Sequence, residues 1–320
     1  MTTATLGSRT LAPDAIALGS RLAGVLLVCA ALSAMSDAFL TPSNLLNVLR
    51  QASLVFLLAS GLTFVVLAAG LDLSIGANVT LSACVAATVI RATEAVVPGL
   101  AAGLACGAAI GALNGVMVTW LRLPPFIATY GMLWVVHGVS YWYMGGRTIY
   151  GFPETFREIG SGHLAGVPIP VYLMAACLAL GGVFARYTTW GHEIYAIGAN
   201  PAAARLSGVP VRRRLMLVYV LSGAMAGLAS IVFLARLNSA EADMGEALLL
   251  PAIAAVLIGG TSLFGGAGSL SGTLVGAILL SLVLNGMNLL AIDTTWQPLV
   301  TGLIVLLAVW IDIVTRNRTA

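Results

Sequence analysis

The 320 residues are 59% hydrophobic and only 8% charged, with a mean hydropathy of +1.00. Soluble domains carry about 25% charged residues, so this chain lacks the polar side chains to cover a watery surface, and lipid is its expected solvent. Its net charge of +3 is too small to point to nucleic acid, and all fifteen basic residues are arginine. The missing lysine excludes a P-loop ATPase and Schiff-base chemistry.

Residues 1–17 are polar and mixed, without the cleavage site of a signal peptide, and read as a cytoplasmic tail before a retained first helix. A span needs about 20 apolar residues to cross about 30 Å of hydrocarbon. That ruler predicts ten spans: Leu18–Met35, Leu46–Ala69, Leu73–Ile90, Val96–Trp120, Phe126–Met144, Ile169–Arg186, Leu215–Ala235, Leu248–Gly260, Leu270–Leu290 and Pro298–Val314. The expected fold is all-α: one polytopic transmembrane domain over 18–314, with a tail at 315–320. The eighth span is short and runs into Gly259-Gly260-Thr261-Ser262-Leu263-Phe264-Gly265-Gly266, too glycine-rich to continue a helix. Irregular backbone at membrane depth survives only against protein or water, so a broken or re-entrant segment is expected there.

Arginine placement orients the chain. The segment 187–214 and its edge hold Arg186, Arg205, Arg212, Arg213 and Arg214, which the positive-inside rule assigns to the cytoplasm. Ten spans then leave both termini inside, in agreement with Arg9, Arg21, Arg316 and Arg318. The long loop 145–168 falls on the outer side, with Trp142, Tyr143 and Tyr150 near the interface. The four cysteines, Cys29, Cys84, Cys106 and Cys177, lie in apolar runs and read as packing residues.

Within the fourth span glycine recurs as Gly99, Gly103, Gly107, Gly111 and Gly115. Each step of four residues turns about 40° beyond a full circle, so the glycines trace a slowly spiralling groove that admits another helix. A weaker pattern is an internal echo. Val66–Ala77 matches Val256–Ala267 at six of twelve positions, and paired helix breaks of this kind are where transporters place solute paths.

The first of those breaks holds Gly70-Leu71-Asp72-Leu73-Ser74-Ile75-Gly76. An aspartate at mid-membrane costs about 2.5–3.5 kcal/mol. Either Asp72 or Ser74 caps the next helix by accepting its free N–H groups, or the pair belongs to the solute path. This motif closely resembles the signature of the permeases of ribose-type ABC importers. The resemblance covers nearly the whole chain and extends to Leu123-Pro124-Pro125-Phe126-Ile127-Ala128-Thr129, to Gly198–Gly208 and to Leu257–Gly266. One departure is Pro124-Pro125, where such permeases more often have a single proline. The resemblance implies a type II importer-like bundle working by alternating access. The implied partners are a second permease chain, identical or not, a periplasmic sugar-binding protein and a cytoplasmic ABC ATPase that binds the ATP. No cofactor is implied for this chain.

In the 187–214 segment, Asn200 is a good N-cap, Pro201 suits the first helical position, Ala202, Ala203, Ala204, Arg205 and Leu206 propagate, and Gly208 closes the turn before Pro210. Two turns are unstable alone in water, so this helix must lie against something. By the resemblance it is the coupling helix that receives the ATPase's motion, with Asn200, Pro201, Ala203, Arg205, Leu206 and Gly208 as its contact set. Arg205 and Arg212 to Arg214 are expected to meet acids of that partner or anionic lipid.

Polar stripes complete the candidates: Ser74, Asn78 and Ser82 in the third span, and Ser269, Thr273, Ser281 and Asn285 in the ninth. Asn114, Asn288, Trp296 and Gln297 lie near helix ends. Such groups either join neighbouring helices or hydrogen-bond a polyol along a translocation path. Enzyme readings find no HExxH or GxSxG motif, and the nearest approach to a nucleophile is Ser140 near His137. A secondary transporter would need buried acids, and only Asp72 qualifies. A branched-chain amino-acid permease shares the general fold, but the Asp72 motif looks like the sugar branch.

Overall fold

The computed structural model describes residues 11–317, without side chains for 11–18, 20 and 315–317. The expectations for residues 1–10, Arg9 and Arg318 therefore lie outside the described residues, as does the side chain of Arg316, while 11–17, expected in the tail, already belong to the first helix. In order, the helices are α1 (Leu11–Met35), α2 (Pro42–Leu67), α3 (Ile75–Thr93), α4 (Val96–Thr119), α5 (Pro125–Met144), α6 (Glu154–Ser161), α7 (Ile169–Tyr187), α8 (Thr189–Ala199), α9 (Pro201–Leu206), α10 (Val211–Leu237), α11 (Leu249–Ile258), α12 (Leu270–Leu289) and α13 (Gln297–Asn317). Every expected span coincides with a helix. Among the described residues, however, only seven are long and apolar enough to cross a membrane: α2, α3, α4, α7, α10, α12 and the segment of α13. In α5 the apolar character is diluted by His137, Ser140 and five Tyr or Trp residues, while α11 is cut to ten residues.

Local chemistry sets the helix starts. Thr41 accepts the N–H of Asn44 ahead of Pro42, Thr188 that of Gly191, and Ser269 that of Gly272, each satisfying an orphan donor of a first turn. From Ala52 to Leu67, α2 is buried on nearly every face, as a helix apolar all round must be. It is the central post of the bundle, wrapped by α7, α10, α11 and α12. At the rim, α13 leaves Leu306 and Trp310 more than half exposed, a surface suited to lipid.

The spiralling glycines of α4 serve two helices in turn. A Cβ on Gly103 would lie 3.1 Å from Ala86 of α3, whereas one on Gly107 would lie 2.5 Å from the Gly223 carbonyl and 2.8 Å from the Gly227 Cα of α10. The 40° drift between successive glycines carries the groove from one neighbour to the next.

Two segments between helices are organised. In 145–168, β1 (Ile149–Tyr150) pairs with β4 (Ser239–Ala240), β2 (His163–Leu164) pairs with β3 (Val167–Pro168), and Phe152 and Phe156 sink against Ile231, Leu234 and Ala235 of α10. The other is 241–248, which is irregular up to a 3₁₀ turn at Glu246–Leu248. It runs along α3 in the opposite sense: the Glu241 carbonyl accepts from Cys84, and the Gly245 N–H donates to Thr80 Oγ1 at 2.9 Å. The short α11 thus has its missing half at its N-terminal side, as non-helical chain lying inside the span of α3. The glycine run after it, 259–269, is also non-helical, as expected.

Candidate functional site

At the end of α2 the chain turns through Ala69, at φ +57°, with Ala69 N–H donating to Val66 O and Gly70 N–H to Val65 O, both 2.9 Å. This is a Schellman turn. A Cβ on Gly70 would lie 2.9 Å from the Tyr219 hydroxyl, so the turn is pressed onto α10. Asp72 follows, 1% exposed. Its Oδ1 accepts the Ser74 N–H (3.1 Å), the Ser74 hydroxyl (2.7 Å) and the Asn114 amide (3.3 Å), while Oδ2 accepts the Ser222 hydroxyl (2.9 Å). The capping expectation needs correcting. Ser74 stands at the N-cap of α3 but makes no side-chain cap bond, because its hydroxyl donates to Asp72 and accepts from the Asn114 amide at 2.7 Å. Asp72 is instead the knot that ties the break to α4 and α10.

Around the knot, Thr129 and Tyr219 donate to the Leu71 carbonyl at 3.2 and 3.5 Å, and Asn78 donates to Gly107 O at 3.1 Å while accepting from Ser82. The sequence reading missed Ser222 and Tyr219; a serine beside Gly223 in an apolar span was the available signal.

The second break repeats the turn of the first. Gly260 N–H donates to Leu257 O and Thr261 N–H to Val256 O, at 2.8 and 3.1 Å. By this geometry Gly70 corresponds to Thr261, one residue displaced from the sequence echo. The two breaks touch: Gly266 N–H donates to the Leu67 carbonyl at 2.9 Å, and a Cβ on Gly265 would lie 2.7 Å from that of Ala69. Gly198 of α8 completes the junction, since a Cβ there would collide with the Leu67 carbonyl and the Gly266 nitrogen. All four sequence blocks therefore converge on the C-terminal end of α2.

Next to this junction stands α9. Asn200 Oδ1 accepts the N–H groups of Ala202 and Ala203, each at 3.0 Å. Gly208, at φ +86°, ends the helix as expected, with Val209 N–H on Ala204 O. Only Ala204 is buried; Arg205 is exposed and Leu206 is 91% exposed. Arg212 and Arg213 also point outward. Arg214, expected to reach a partner or lipid, is instead engaged within the chain: it pairs with Glu193 and lies 4.8 Å over the Trp190 ring, clamping α8 to α10.

The remaining candidates lie apart from the knot. Thr273 meets Thr63 at 2.8 Å, and Asn285 exchanges amide hydrogen bonds with Asn44 at 2.8 and 3.1 Å, so both join α12 to α2. Ser281 is buried, its hydroxyl without a partner among the described residues. Trp296 is 55% exposed on the 3₁₀ turn Thr294–Trp296. A cavity of ≈ 810 Å³ between α11, α12 and α13 is lined largely by Leu, Ile and Val, which suits a lipid chain better than a polar solute. On α5, Ser140 donates to the Val136 carbonyl and His137 contacts Glu246, so these two do not form a catalytic pair.

An all-helical, polytopic bundle with paired broken helices and an outward-facing capped helix defines a transport permease. Residues 44–309 match the family described as branched-chain amino acid transport system / permease component, and the chain belongs to that family. It is 40% identical over 317 residues to the ribose import permease protein RbsC of Escherichia coli (strain K12), covering 98% of this chain and 99% of that protein. The L-arabinose ABC transporter permease protein AraH of Azospirillum brasilense is 35% identical (92% and 86% covered), and the D-allose transport system permease protein AlsC of Escherichia coli (strain K12) is 36% identical (86% and 84% covered). No solved structure matches the chain.

Proposed function

We propose that this chain is the permease subunit through which a binding-protein-dependent ABC importer passes a monosaccharide into the cytoplasm. The amino-acid wording of the family description gives way to sugar because relatives matching over nearly their full length are named for ribose, arabinose and allose import. The chain is a multi-pass inner-membrane protein and a transport component. The finer reading is a pentose- or hexose-sized solute delivered by a periplasmic binding protein, a pathway closed by a second permease chain, and ATP hydrolysed on a separate cytoplasmic ATPase.

The observation that carries the mechanism is the junction below α9. With 187–214 and both termini in the cytoplasm, and 145–168 outside, α9 presents Arg205 and Leu206 to the ATPase. Force on α9 passes through Asn200 to α8, and through Gly198 to the Leu67 carbonyl and the Gly266 nitrogen. One backbone contact thus reaches both broken helices, the elements that alternate access requires to move together. The carboxylate of Asp72, the amides of Asn78, Asn114 and Asn285 and the hydroxyl of Thr273 hold the bundle while it moves. Ser281 and Trp296 remain proposed members of the route.

The test is reconstitution of the chain with its ATPase and binding protein in vesicles. Arg205→Glu should insert normally but lose most solute uptake, because a charge reversal at an exposed docking residue removes partner contact without touching the bundle. Unchanged uptake in that variant would remove α9 from the mechanism.

A further inference from the structure

One face of α5 carries a ladder of rings. Phe126 stacks on Tyr130 with centroids 5.9 Å apart, Tyr130 meets Trp134 at 6.5 Å, Trp134 meets His137 at 5.5 Å, and His137 lies 4.7 Å from Tyr141. Spacings of three and four residues keep them on one side of the helix. Phe126, Tyr130, Trp134 and Tyr141 are all between 47% and 57% exposed. Aromatic residues that anchor a protein in lipid gather at the two membrane interfaces; this row runs nearly the whole length of the helix instead.

The row also meets charge. His137, seven residues short of the end of α5 at Met144, donates from Nδ1 to the carboxylate of Glu246, which is 51% exposed. Glu246 begins the 3₁₀ turn of the segment that lies against α3, and its Cα is 3.6 Å from where a Cβ on Gly76 would stand. Asp243 and Glu241, on the same irregular stretch, are exposed as well. Non-helical backbone and half-exposed carboxylates at this depth are tolerated against water or protein but not against hydrocarbon. This face therefore borders water or a neighbouring protein chain rather than lipid.

We propose that the α5 ring ladder and the Glu246 carboxylate line the sugar's route through the bundle. Flat rings cover the apolar C–H face of a sugar, and a carboxylate accepts from its hydroxyls, so the surface offers both halves of carbohydrate recognition. A row of rings a few ångströms apart also offers successive weak sites, as passage requires, rather than one tight site. The Asp72 knot, by contrast, spends both its oxygens on the chain itself. The inference rests on the sugar-permease reading.

The experiment has two arms, both on the full chain reconstituted in vesicles with its ATPase and binding protein. In a background lacking the four native cysteines, Tyr130→Cys, Trp134→Cys and Glu246→Cys are treated with a cationic methanethiosulfonate. They should react at least about tenfold faster than Leu180→Cys on the outer face of α7, because only the thiolate reacts and lipid suppresses it. Rates no faster than at position 180 would overturn the proposal. In the second arm, uptake of D-ribose, L-arabinose and D-allose is measured. For whichever sugar the unaltered chain imports, Trp134→Ala and Glu246→Gln should each lose most uptake while Trp134→Phe keeps it; unimpaired uptake in both losing variants would overturn the route. Failure of the unaltered chain to import any sugar would sink the sugar-permease reading instead, and the labelling arm would still show whether this face is wet.

Discussion

At Asp72 a single side chain holds four donors from three elements, all out of water. Removing it strands groups whose desolvation has already been incurred, at about 1–3 kcal/mol each. Asp72→Ala should therefore destabilise the detergent-solubilised protein by about 3 kcal/mol or more, read as a lowered thermal midpoint. Asp72→Asn should cost less, since its carbonyl keeps an acceptor for the loop and Ser222 can rotate to accept from the new amide. A midpoint unchanged in the alanine variant would show that the knot carries no stability. Gly198 makes a different kind of demand. Its neighbours are backbone atoms of two other segments, which cannot rotate away, so Gly198→Ala must push the junction apart. The expected result is impaired sugar uptake with the chain still inserted.

Elements meet here through absent side chains. Along α4 and α10 the carbonyls and α-carbons of facing glycines nearly touch, and Gly107→Ala would force the two helices apart at their closest point. Overpacking of this kind typically costs about 1–3 kcal/mol, and the yield of folded protein should fall accordingly. Gly182→Ala on α7, where a Cβ meets nothing within 4 Å, is the matched control and should leave yield and uptake intact. The glycine row and the capped α9 were both legible beforehand, because each depends on local spacing. The course of the segment ahead of α11 was not. Residues 241–248 carry three acids and no local signal of where they lie; what places them beside α3 is the pairing of Gly245 with Thr80 and the space left by Gly76.

For the molecule as a whole, the composition demands lipid and the missing lysine rules out a phosphate-binding loop in this chain. The purified chain should accordingly show no ATP hydrolysis above that of a mock preparation, and turnover that co-purifies with it would contradict its role as a transport subunit driven from outside. Orientation is open to a separate test: Arg213→Cys, exposed at the start of α10, should be labelled by an impermeant reagent in inside-out vesicles and protected in intact cells. Labelling from outside would invert the whole arrangement.

Sequence alone determined that the protein is a helical membrane bundle, where its long apolar helices and α9 run, though not α6 or α8, and which four blocks matter, since hydropathy, caps and glycine spacing are properties of neighbouring residues. It also settled the family, through the order of those blocks. Tertiary structure decided what the blocks are for. Leu67, Gly198 and Gly266 are far apart in the chain, and only folding makes one carbonyl their common contact. The same holds for the ring ladder of α5, whose residues look like ordinary span-filling aromatics until Glu246 arrives beside His137 from a segment more than a hundred residues away. Side chains that act together across such distances leave no periodicity to read.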